Sequence, residues 1–142
     1  MTISRSNVVD RIMHAEWLVQ FAENWAGLSD GVIKRSSRMA NINEVRRMVI
    51  AYAYYEIGLS QMQTAAVVGR KHPAVHHQLT EHNESLSMVG NTNRQLNPTY
   101  ARTYKMFCDD VAYHSRTQDA EYLQREIARL QMLLNDLQKE TK

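Results

Sequence analysis

The 142 residues include 44% apolar and 23% charged side chains, enough to bury a core and far from the composition of a disordered chain. The lone cysteine, Cys108, excludes a disulfide framework and a Cys-based zinc site; no apolar run is long enough to span a membrane, and the N-terminus lacks a signal-peptide core. Net charge is only +2, but residues 1–33 sum to −2, residues 34–82 to +4, and residues 83–142 balance.

In chain order, Ser6 or Asn7 is expected to cap a first helix running to about Trp25. Val9, Met13, Trp17, Phe21 and Trp25 recur every four residues, with Ile12, Leu18 and Ala22 beside them in a broad apolar stripe, and two tryptophans there point to a core or a subunit interface. Gly27 to Gly31 breaks the helix, closing an N-terminal segment over residues 1–31. Residues 32–42 are basic and weakly periodic, with Lys34, Arg35 and Arg38. A stronger helix is expected from Asn43 as its cap, with Val45, Met48, Val49, Tyr52, Ala53 and Ile57 apolar and Gly58 as its stop.

Residues 59–79 hold the densest pattern. Ser60 is suited to cap a helix, and Ala65 and Ala66 are small enough for a close crossing. Gly69 suits a left-handed end, and Pro73 suits the first turn of a following helix. Val75 and Leu79 lie one turn apart and can pack back on Ala65 and Val68. A small residue, a glycine four later and an apolar position six further on form the helix-turn-helix pattern, whose second helix enters the DNA major groove. An ordinary pair of packed helices fits the same residues. With its basic approach the unit spans residues 32–90.

Residues 91–142 begin at a Gly90–Asn93 turn. Asn97-Pro98 opens a long helix, with Tyr100, Tyr104, Phe107 and Val111 on one stripe. Leu123, Ile127, Leu130, Leu134 and Leu137 then step four, three, four, three, which is heptad spacing. A two-stranded coiled coil between two copies, or a helix folded back on its own domain, would each use them; the homodimer is the favoured expectation.

Residues 46–79 resemble the DNA-binding domain of the bacterial replication initiator DnaA, a Trp-repressor-like helix-turn-helix fold. The resemblance rests on Arg47, Tyr52 and Glu56 in the preceding helix and on Gly69, Arg70, His72, Val75 and His77. It implies an all-α protein in which Arg47 enters a minor groove while Arg70 and His72 approach phosphates and base edges. Lys71 stands where that family has an acid, and Pro73-Ala74 where it has two threonines, so a different recognition sequence is implied. No Gly-rich Lys-Ser/Thr phosphate loop occurs, so the initiator's ATPase is not expected, nor a nucleotide cofactor.

The residues expected to meet duplex DNA are Lys34, Arg35, Arg38, Arg46, Arg47, Arg70, Lys71, His72, Ala74, His76, His77 and Gln78. His72 and His76 also have zinc-ligand spacing, but histidines on a recognition helix more often face DNA or solvent, and neither a metal nor any other cofactor is expected. No nucleophile-base-orienter set is visible, so an enzyme is not expected. The expected protein is a cytoplasmic, sequence-specific regulator or replication accessory factor of a bacterial cell, with phage or plasmid origin equally compatible. The alternative is a helical adapter that binds a host replication or transcription protein.

Overall fold

The computed structural model describes residues 5–35, 39–90 and 94–140; side chains of residues 5–7, 116–123, 126 and 140 lie outside that description. It is all-helical apart from one isolated β-bridge between Met88 and Gln95. The helices are α1 (Arg5–Trp25), α2 (Ala40–Tyr52, continued by a π-helical turn Ala53–Ile57), α3 (Gln61–Val68), α4 (His72–Leu86) and α5 (Pro98–Glu140). They fall into two compact units, Met1–Phe107 and Cys108–Lys142. The first therefore takes in α1, the α3–α4 pair and the start of α5, a different division from the one read at residues 31 and 90.

Local chemistry sets most helix ends. Ser60 Oγ accepts from Gln63 N at 3.0 Å while Gln63 Oε1 accepts from Ser60 N at 2.9 Å, a reciprocal cap on α3. Gly69 ends α3 at φ 66, and Gly58 ends the π-turn at φ 88, both left-handed values that a Cβ would strain. Asn97 Oδ1 accepts from Tyr100 N at 3.1 Å and so caps α5. Two caps differ from the sequence reading. Helix α2 begins at Ala40 without a side-chain cap, and Asn43 instead accepts from Gln78 Nε2 at 2.6 Å. Ser6 and Asn7 lie within α1 rather than before it.

Helix α2 is central to the first unit, packing on α1, α3 and α4. Its Val45, Met48, Val49, Ile50 and Ala51 are buried with Val68, Val75 and Leu79 of the α3–α4 pair. Helix α1 buries Ala15, Leu18, Val19 and Ala22, whereas Val9 and Met13 stand exposed at 53% and 62%. Every fourth residue of a helix turns by about 40° relative to the last, so five such positions spiral around it and cannot share one core face. Phe107, fully buried, collects the aromatic rings of Phe21, Trp25 and Tyr52 at centroid distances of 6.3, 5.2 and 6.2 Å.

In the second unit, Ile127, Leu130, Leu134 and Leu137 of the heptad stripe are exposed, each at 55–60%, and Leu133 joins them at 50%. Leu123 lies outside the described side chains. No helix among the described residues is long and apolar enough to cross a membrane.

Candidate nucleic-acid interface

Helices α3 and α4 are joined only by Gly69, Arg70 and Lys71. Gly69 N and Arg70 N donate to Ala66 O and Ala65 O at 3.4 and 2.9 Å, closing α3, and Lys71 O starts α4 by accepting from Ala74 N and Val75 N. Pro73 falls at the second helical position rather than the first, where its missing N–H still costs nothing.

Helix α4 has two faces. Val75, Gln78, Leu79, His82 and Ser85 are buried. Lys71, His72, Pro73, Ala74, His76 and His77 are exposed, followed by Thr80, Asn83 and Glu84. The N-terminal half of the outer face is therefore imidazole and small side chains beside a lysine, with its first carboxylate at Glu81, 3.9 Å from His77 Nε2. His72 Nε2 lies 2.7 Å from Gln61 Oε1 of α3. Thr80 and Asn83 were missed in the sequence, although they continue the line of His72 and His76 by helical steps. Tyr55, 48% exposed, joins the same edge: its hydroxyl donates to Asn83 Oδ1 at 3.2 Å and accepts from Asn83 Nδ2 at 2.8 Å.

Two expected contact residues are buried inside the protein, and a third is half-buried. Arg46 is a correction: it is 3% exposed, its Nε donates to Ile33 O at 2.9 Å, and its NH2 donates to Arg35 O at 3.1 Å. Burial, with the nearby Arg70 charge second, lowers its pKa to about 10, so it remains a cation at neutral pH. Gln78 is the second correction, at 8% exposed. Its Oε1 accepts from Arg47 Nε at 2.8 Å and its Nε2 donates to Asn43, so the amide ties α4 to α2, and its burial turns it away from any base edge. Arg47 is half-buried, held by Gln78 and standing 5.9 Å over the Tyr100 ring. Its role as a free arm is reduced to whatever its outer nitrogens reach.

Arg70 is also engaged. Its NH1 donates to Lys34 O and Gly69 O at 3.2 and 3.0 Å, and its NH2 to Arg35 O. Together with Arg46 it grips residues 33–35 by their carbonyls. From α1 the buried Glu23 adds a third hold, its Oε2 accepting from Ile33 N at 3.0 Å, and the Ile33 side chain is fully buried. The outcome is a basic segment fixed beside the α3–α4 turn, with the Lys34 and Arg35 side chains left exposed. A Cβ at Gly69 would stand 3.4 Å from Lys34 O, an ordinary contact, so its left-handed φ and not the approach calls for glycine. Lys34 also lines a cavity of about 250 Å³ with Glu16, Glu23 and Asp30. Arg38 lies outside the described residues.

Beneath α4, His82 is 2% exposed and shares a 2.6 Å hydrogen bond between its Nδ1 and the Tyr100 hydroxyl, with the Tyr104 ring 4.5 Å away. Burial, and then the Arg47 charge, push its pKa down to about 4, so the ring is neutral and joins α4 to the start of α5. No group of three or more histidine, cysteine or acidic residues among the described residues is arranged to hold a metal ion.

No protein-family model matches the chain, and no curated protein and no solved structure matches it either.

Proposed function

We propose that this chain is a sequence-specific duplex-DNA-binding protein built on a Trp-repressor-like helix-turn-helix, similar in plan to the DnaA DNA-binding domain. The observation that carries it is the exposed outer face of α4, beginning at Lys71 and His72, beside a basic segment that the buried Arg46 and Glu23 hold in place. In this reading α4 enters the major groove. His72, Ala74, His76 and His77 meet base edges, and Lys34, Arg35 and Lys71 meet phosphates. Arg46, Gln78 and Arg70 hold these groups from behind. The chemistry is recognition, with no catalytic step and no cofactor.

The exposed heptad of α5, Ile127, Leu130, Leu134 and Leu137, supports pairing of two copies, which would fix the spacing of two half-sites. The same apolar line also suits a partner helix, the observation that favours the adapter reading. An electrophoretic shift on mixed-sequence duplex at moderate salt separates the two. Shifted complexes that weaken steeply with salt support DNA binding. No shift, together with an apolar helix partner recovered on α5, supports the adapter.

A further inference from the structure

Arg46 and Arg70 invite the simplest assignment for arginines in a basic DNA-binding segment, direct contact with phosphate. Their hydrogen bonds say otherwise. Both guanidinium groups end on the carbonyls of residues 33–35, and Arg46 is buried. Placing two cations close together is unfavourable, and the lowered Arg46 pKa reflects that proximity after burial. The arrangement persists because charge-assisted bonds to several carbonyls of one short segment offset the repulsion. Glu23 holds the same segment by Ile33 N, so three charged side chains from α1, α2 and the α3–α4 turn converge on residues that have no helix of their own.

Resting on the DNA-binding reading above, we propose that Arg46 and Arg70 are positioning residues: together with Glu23 they clasp residues 33–35 so that Lys34 and Arg35 form the phosphate-contacting arm of the interface. Arg70 then acts through the arm and not on the nucleic acid. The arm is a fixed element, because its backbone is hydrogen-bonded at Ile33 N, Ile33 O, Lys34 O and Arg35 O before any ligand arrives.

The test uses the full chain with Arg70→Ala, Arg70→Lys, Lys34→Ala/Arg35→Ala and the triple variant. Arg70 is partly exposed, and a thermal melt confirms that each variant folds. Without DNA, amide exchange at residues 33–35 is expected to rise roughly tenfold in Arg70→Ala, in line with loss of charge-assisted bonds, and by less in Arg70→Lys. Unchanged exchange overturns the clasp. On a mixed-sequence duplex, each lost phosphate contact lowers the salt slope of binding by about 0.9. Arg70→Ala is expected to approach the slope of Lys34→Ala/Arg35→Ala, with no further fall in the triple variant. A triple variant lower by one further contact shows that Arg70 itself touches phosphate and overturns the proposal. If the unaltered chain does not bind duplex, the DNA reading and the phosphate arm fall together, while the exchange result still decides whether the clasp exists.

Discussion

Arginine 46 and arginine 47 are adjacent in sequence and opposite in situation. One is buried on the carbonyls of Ile33 and Arg35; the other is half-buried against Gln78 and Tyr100. Removing the buried Arg46 side chain takes the donor from Ile33 O and one of two donors from Arg35 O, so Arg46→Ala is expected to cost about 3 kcal/mol of stability in denaturant unfolding. A loss below about 0.5 kcal/mol would show that water replaces the guanidinium without penalty. At Gly69, φ 66 is a left-handed value next to the Lys34 backbone. Gly69→Ala is expected to lower stability by about 1–2 kcal/mol through backbone strain alone; an unchanged melting temperature would contradict that. The difference between these residues was not legible beforehand. Ser60, Gly58, Gly69 and Asn97 were legible because a cap or a left-handed turn is decided within a few residues. The partner of Arg46 lies 13 residues away and that of Arg47 lies 31 away, and sequence spacing says nothing about which guanidinium turns inward.

Among the elements, α4 would join the proposed recognition to stability, since its outer face is exposed while its inner face holds Val75, Gln78, Leu79 and His82. His77→Ala is expected to change which duplex sequences are preferred while moderate-salt affinity for random DNA shifts little; equal losses on both would assign His77 to phosphate. On the inner face, His82 has its folded pKa lowered from 6.5 to about 4. Below pH 6.5 the unfolded chain takes up a proton that the folded chain resists, so stability is full above that pH and is lost as pH falls toward 4. The expected loss from this one group is on the order of 2 kcal/mol, read as the difference between the unaltered chain and His82→Gln from pH 7 to pH 4.5. Parallel pH profiles for the two would refute it. In helix α1 the broad apolar stripe was legible at Leu18 and Ala22, which are buried, but the core also took Ala15 and Val19 and left Val9 and Met13 outside.

At the scale of the whole molecule, the all-α class was legible because helical periodicity, two prolines and five glycines leave few other choices. The extent of the first unit was not: it reaches Phe107, whose ring contacts with Phe21, Trp25 and Tyr52 link residues more than fifty positions apart. If the exposed α5 leucines pair two copies, a chain ending at Thr117 is expected to scatter as a monomer, at about two fifths of the mass of the full-length dimer. An unchanged dimer mass would place the contact elsewhere. The central claim, that α4 and the clasped basic arm read duplex DNA, is tested most directly by selecting bound sequences from a random duplex pool with the full chain at moderate salt. Convergence on a short motif is expected, with affinity falling steeply as salt rises. A pool that stays random, with no retained duplex, would contradict it.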